Sequence, residues 1–329
     1  MGSKAVQDTG VLYKYMGVAG AKKTLASVAS GSAAPLTSMI RLTCNLRRPL
    51  ALNWNTSCRI FLPHLREGFH EFLSGDIDYS SLRPGPFRDK IIVLNKSFKM
   101  ATREQREAIK KELLAEPIEA MFNVDRLCQV NREVVEQIHS SMQTSGVFCS
   151  TKKHDSLLMW AHYAQSHEGV VLQLSPDVSN DSFFTASRPV QYVNERPLLY
   201  RTAKDFIRHS LCMPLFYSAK DTLDRLTHSK SKQWEYEEEY RVVVPGLIPE
   251  GEQFATLRFW DHELSAIFLG CRMSEQNKTE IIALGKRLNP KVQMYQAVVS
   301  RREFALSFHL LDSAEPKESS LVSNTEGPL

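Results

Sequence analysis

None of the six cysteines, Cys44, Cys58, Cys128, Cys149, Cys212 and Cys271, stands in a CxxC pair. That spacing excludes the common zinc motifs and a disulfide framework, and leaves reduced thiols in a cytoplasmic protein as the reading. No apolar run approaches the roughly 20 residues that a membrane helix needs, and the first residues lack a basic start followed by an apolar stretch. Neither a spanning segment nor secretion is expected, and no membrane partner. Neither sign of charge forms a long block, and the formal net charge is only +4 over 329 residues. Bulk attraction to nucleic acid is therefore not implied. No histidine pair shows metal spacing, so no metal site is expected. An internal repeat is also lacking.

What is present suits an ordinary globular chain. Hydrophobic residues make up 43% and charged residues 24%, enough apolar surface for a core that needs no covalent staples. Residues 1–10 read as a flexible tail, 11–312 as a single α+β domain with a helical insertion at about 102–144, and 313–329 as a polar, disordered tail. Strands are expected at 11–15, 91–94, 146–150, 169–174, 190–193, 240–244, 266–269 and 292–295. Helices are expected at 21–28, 102–115, 118–142, 155–167, 274–288 and over most of 198–226. Thr102 and Gln105 form a Thr-x-x-Gln capping pattern, and 31–35 reads as loop. Strands and helices interleave without βαβ regularity, which predicts a mixed or antiparallel sheet core with flanking and inserted helices.

Two segments concentrate the chemistry, 147–174 and 233–244. In the first, a strand ends in the hydroxyls of Ser150 and Thr151, and a helix follows that carries Trp160, His162 and Tyr163. Leu157, Trp160, Ala161 and Ala164 share one helical face and read as core, while His162 and Tyr163 with His167 could form a polar site. Hydroxyls after a strand also commonly cap the next turn, and a histidine on a part-buried helix is more often structural. In the second segment, Glu237, Glu239 and Arg241 fall on one face if the chain is extended. Paired carboxylates on one surface call for a nearby cation, and Arg241 is the candidate. Trp234 suggests a cleft wall. The competing reading is a solvated strand edge guarded by charge.

These residues resemble the bacterial family named domain of unknown function 2971. The likeness is carried by Leu12-Tyr13-Lys14-Tyr15, by Met159-Trp160-x-His162-Tyr163-Ala164 followed by His167-x-Gly169, and by Trp234-x-Tyr236-Glu237-x-Glu239-Tyr240-Arg241, and it covers about 11–310. One departure is that residues 42–53 stand where an Asn-Asp-Pro-Phe type motif belongs. The order of elements also resembles that of ADP-ribosyltransferases. Lys14, Ser150 with Thr151, and Glu237 with Glu239 match the basic, hydroxyl and acidic positions of those enzymes.

The second resemblance implies an NAD-consuming enzyme that cleaves the nicotinamide–ribose bond. A fixed carboxylate, Glu239, would stabilise the oxocarbenium-like state, and Glu237 would orient or deprotonate the acceptor. Substrate contacts are then expected from Tyr13, Lys14, Ser150, Thr151, His162, Tyr163, Trp234 and Arg241. No cofactor is bound permanently, and NAD or another nucleotide would be the substrate, with a protein or nucleic-acid acceptor left open. The alternative is a non-catalytic, regulatory protein in which the same residues bind a nucleotide or a partner.

Overall fold

The computed structural model describes residues 10–26, 37–43, 64–82, 84–115, 123–195, 197, 200, 202–211, 224–249, 252 and 254–311. The strands are β1 (Leu12–Met16), β2 (Thr37–Thr43), β3 (Gly146–Thr151), β4 (Val170–Leu174), β5 (Arg188–Pro189), β6 (Gln191–Val193), β7 (Ser229–Ser231), β8 (Glu239–Val244), β9 (Phe254–Trp260), β10 (Leu264–Leu269), β11 (Gln293–Val299) and β12 (Leu306–Leu310). The helices are α1 (Val18–Ala26), α2 (Leu65–Ser74), α3 (Pro86–Met100), α4 (Arg103–Ala115), α5 (Val124–Gln143), α6 (Leu157–Tyr163), α7 (Ala203–Leu211) and α8 (Glu275–Leu288). Among the described residues no helix is long and apolar enough to cross a membrane. The expected α+β class holds, with a large, mostly antiparallel sheet and flanking helices.

The chain forms two compact units, one from 1–40, 150–186 and 257–329, the other from 41–149 and 187–256. In the first unit the strand order is β12-β11-β10-β4-β1, with the Ser150–Thr151 end of β3 beside β1. β1 runs antiparallel to β3 and β4, β4 antiparallel to β10, and β11 antiparallel to β12, whereas β10 and β11 are parallel. That parallel pair needs a crossover, which α8 supplies. A Cβ on Gly285 of α8 would lie 2.5 Å from the Met294 methyl and 2.7 Å from Ile267 Cδ1, so the ends of these two side chains pack directly against the helix backbone. Val170, Val171 and Leu172 of β4 are fully buried with Ile267 and Leu269 of β10. Central strands covered on both faces read as continuous apolar runs, which is why β4 and β10 are legible in the sequence.

The second unit holds β8 paired antiparallel with β5, the parallel ribbon β6–β7, and helices α2 to α5 and α7. α2 packs on α7 through Gly68, where a Cβ would come within 2.6 Å of the Ala203 backbone. The expected strand at 91–94 lies inside α3 instead. Gly85 and Pro86 start that helix, with the proline at its first position, where its missing N–H costs nothing. Ile91, Asn95 and Phe98 form the buried stripe, and Val93 is 60% exposed. A four-residue apolar run cannot distinguish strand from helix, and the i, i+4, i+7 spacing decides. The Asn95 amide donates to the Leu73 carbonyl at 2.6 Å and to that of Gly75 at 3.0 Å, and its oxygen accepts from the Tyr79 hydroxyl at 2.7 Å.

The Thr102 cap forms as expected: the Thr102 N–H donates to Gln105 Oε1 at 2.8 Å, and the Gln105 N–H to Thr102 Oγ1 at 3.3 Å. The helix expected at 155–167 is shorter. It begins at Leu157 on a Ser156 cap and stops at Tyr163, because Gln165, Ser166 and His167 all take positive φ, 50°, 52° and 70°. This left-handed turn brings the chain back to β4. Its place is tight, since a Cβ on Gly169 would meet the Met16 carbonyl oxygen at 2.3 Å, and one on Gly270 the His167 carbonyl oxygen at 2.1 Å. The helix expected at 118–142 is seen as α5, and that at 198–226 is described only in part, as α7. The loop at 31–35 and the tail at 313–329 lie outside the described residues, as does the first tail apart from Gly10.

Candidate functional site

The chemistry of the second unit gathers around β7, β8 and the turn between them. The chain leaves β7 through a 3-10 turn, Lys232–Glu237, and Glu238 takes a left-handed conformation with φ 44° before β8 begins at Glu239. Glu237 and Glu239 are therefore not alternating residues of one strand, as the sequence suggested. The turn, and not the strand period, directs both carboxylates to the same place, where they are 2% and 6% exposed.

Burying two carboxylates is costly unless cations and donors compensate. Two cations do so. Arg241 donates from Nε to Glu239 Oε1 at 2.8 Å and from Nη2 to Oε2 at 3.0 Å, the bidentate fork that a guanidinium is shaped for. Its third arm, Nη1, reaches the Thr227 carbonyl at 2.5 Å. Lys230 donates to Glu239 Oε2 at 2.9 Å and to Glu237 Oε2, and its ammonium lies 5.2 Å from the centroid of the Trp234 ring. The Glu239 N–H donates to the Tyr192 hydroxyl at 2.8 Å. The Cys149 thiol is within hydrogen-bonding reach of both Glu239 and Arg241.

Formal charges in this network cancel, two against two. Burial pulls the Glu239 carboxyl up, but the Arg241 hydrogen bonds and charge, with the Lys230 charge, outweigh it and hold the pKa at about 2. Burial lowers Lys230, and the charge of Glu239 with the two carboxylate hydrogen bonds more than restores it. Burial raises the Tyr192 hydroxyl. Glu239 is thus an anion throughout the neutral range and does not exchange protons there.

Lys230 also borders a pocket. A half-open space of about 360 Å³ is lined by Val193, Asn194, Glu195, Leu226, Ser229 and Ser231 together with Pro197 and Lys230. Hydroxyls, an amide, one carboxylate and one ammonium alternate there with apolar side chains. Parallel pairing of Gln191–Val193 with Ser229–Ser231 makes this wall.

Of the residues singled out in the sequence, the structure brings Glu237, Glu239, Arg241 and Trp234 together. Lys230 and Tyr192 complete the cluster and were not anticipated. They lie in short strands of unremarkable composition, and only the β6–β7 pairing reveals their proximity. The other candidates belong to the first unit. Tyr13 on β1 pairs with Thr151 on β3, and its ring stands 5.0 Å from that of His154 and 6.1 Å from that of Phe268. Lys14 is half-buried opposite Leu172. Ser150 and Thr151 are buried, and Thr151 Oγ1 accepts from the Lys153 N–H at 3.0 Å, the turn-capping role that such hydroxyls often take. His162 and Tyr163 are exposed at the end of α6, with ring centroids 6.3 Å apart. His167 stacks on the fully buried Trp160 at 6.4 Å. Among the described residues no group of three or more His, Cys, Asp or Glu could hold a metal ion.

Comparison with known proteins adds one finding. Residues 159–242 match the model of a protein family of unknown function, DUF2971. The matched stretch begins inside α6 and ends in β8, so it contains the left-handed turn at 165–167, the pocket wall and all four charged groups of the network. No curated protein and no solved structure matches the chain.

Proposed function

We propose that this protein is a ligand-binding module whose site is the pocket bordered by Lys230, and that its ligand is a small hydroxyl-bearing molecule of the nucleotide class. One observation carries the reading: Lys230 is both the edge of the pocket and the shared partner of two buried glutamates. Burying an Arg–Glu–Lys–Glu network gains little stability over apolar packing. What such a network does supply is a fixed position for each member, and here the fixed member that meets the pocket is an ammonium with its orientation set. Ser229, Ser231 and Asn194 offer hydrogen bonds to ribosyl hydroxyls, and Val193, Leu226 and Pro197 offer apolar contact for a base. The volume falls within the usual range of roughly 300–1,000 Å³ for small-ligand sites.

A second reading is favoured by the ionisation of Glu239. A carboxylate held negative at every physiological pH is what an oxocarbenium-like state at a nicotinamide ribose requires. Against it stands the occupation of both Glu239 oxygens by Arg241 and Lys230, which neutralises the field that catalysis would use.

One experiment separates the two. The protein is incubated with NAD, ADP-ribose, adenosine and ATP while melting temperature and nicotinamide release are followed. A rise in melting temperature with no nicotinamide supports the binding module, and loss of that rise in Ser229→Val assigns the pocket. Nicotinamide release that disappears in Glu239→Gln supports the enzyme. If no compound changes the melting temperature and no nicotinamide appears, both readings fail.

A further inference from the structure

We infer that the free edge of β12 joins two copies of this chain, strand to strand, about a two-fold axis at Phe308. β12 ends the strand order of the first unit, and among the described residues no strand lies beyond it. The register on its inner side determines which backbone groups face outward. The Leu311 N–H donates to the Met294 carbonyl at 2.7 Å, and the Ser300 N–H to the Ala305 carbonyl at 3.0 Å. In an antiparallel ladder, hydrogen-bonded and non-hydrogen-bonded pairs alternate. Residues 305, 307, 309 and 311 therefore turn their N–H and C=O groups toward β11, and Leu306, Phe308 and Leu310 turn theirs to the open edge.

Those three residues are self-complementary. Placed antiparallel to its own copy with Phe308 opposite Phe308, β12 sets Leu306 opposite Leu310 at each end. All three pairs are then of the hydrogen-bonded kind, so every outward N–H and C=O of the strand finds a partner. The side chains follow the same symmetry. Leu306, Phe308 and Leu310 lie on one face of the sheet and meet Leu310, Phe308 and Leu306 of the copy, while Ser307 faces His309 on the other face. In a closed two-fold contact residue i meets j and j meets i, and this register places apolar residues opposite apolar ones throughout the Phe308 face.

The edge is also unguarded. Edge strands of monomeric proteins usually carry a lysine, another charge or a proline that blocks pairing. Leu306-Ser307-Phe308-His309-Leu310 has none of them. Leu310 is 52% exposed, and Val299, opposite Leu306 on β11, is 60% exposed. Both lie on the face that the neighbouring strand would extend.

The test is the mass of the full chain in solution, measured by light scattering across a concentration series, for wild type and two variants. Ser307→Lys/His309→Lys places like charges opposite each other across the axis on exposed positions. Leu310→Pro removes one outward N–H and leaves the bonds to β11 intact, because proline is tolerated where the N–H of an edge strand faces solvent. Wild type is expected at about twice the 37.4 kDa chain mass, and both variants at the single mass with an unchanged circular dichroism spectrum. A wild type that is monomeric throughout the series overturns the inference. So does a dimer that survives in either variant, since it would then form through another surface or without strand pairing.

Discussion

Removing the Glu239 carboxylate takes from Arg241 its bidentate partner and leaves Glu237, on Lys230, as the remaining anion of the network. Glu239→Ala is therefore expected to destabilise the fold by more than about 3 kcal/mol, read as a lower urea midpoint at unchanged slope. The same residue sets an acid limit. Its pKa is depressed in the folded state, from 4.5 to about 2, so its contribution is complete above pH 4.5 and is lost as pH falls from there toward 2. A milder loss begins earlier. His228 is buried, and its pKa is lowered first by burial and then by the charge of Arg188. A histidine kept neutral by the fold contributes stability above its ordinary pKa of 6.5 and loses it as pH drops below that value. Melting temperature is expected to fall between pH 7 and 5, with a shallower fall in His228→Gln. Arg241 and the two glutamates were visible in the sequence because charges crowded among aromatic residues are hard to explain as packing. Lys230 was not, since its importance arises only when the Lys232–Glu237 turn folds back on β7.

At the level of elements, the sequence was most informative where one local signal decided the outcome. The Thr102–Gln105 box forms as its spacing demands, and Thr102→Ala is expected to cost about 1 kcal/mol, seen as a lower melting temperature with the helix content otherwise retained. The apolar run at 91–94 carried two periods at once, and only the wider stripe through Asn95 and Phe98 resolves it. The end of α6 could not be read from residue types, because three successive non-glycine residues with positive φ go against the ordinary preference of each. What holds them is their surroundings. The His167 N–H donates to the Trp160 carbonyl at 3.2 Å, the Gly169 N–H to that of Ala164 at 2.8 Å, and the Arg272 N–H to that of His167 at 3.0 Å. A Cβ at position 270 would press on that last carbonyl, so Gly270→Ala is expected to destabilise by about 3 kcal/mol or more. Ser166→Gly, which relieves one of the strained positions without removing a bond, is expected to cost little, and denaturant titrations of the pair make the contrast.

On the scale of the molecule, both units are assembled from separated stretches of sequence. The first takes three stretches and the second takes two, an arrangement that no composition change or linker marks. A fragment of residues 1–149 carries β1 without β4, β10, β11 or β12, and a fragment of 150–329 carries those strands without β1. Neither can complete the sheet of the first unit, and each fragment is expected to lack a cooperative melting transition when expressed alone. The feature behind this, the pairing of Leu12 with Leu174 and of Leu172 with Ile267, also governs the order of events during synthesis. β1, at residues 12–16, is made long before its neighbour β4 at 170–174, and it gains the rest of its sheet only once residues 264–310 have followed. Folding of that unit is thereby postponed until those later strands have been made. A chain that stalls between β4 and β10 carries an apolar β4 open on its β10 side, which marks the incomplete product for chaperones and proteases rather than letting it persist as a half-built protein.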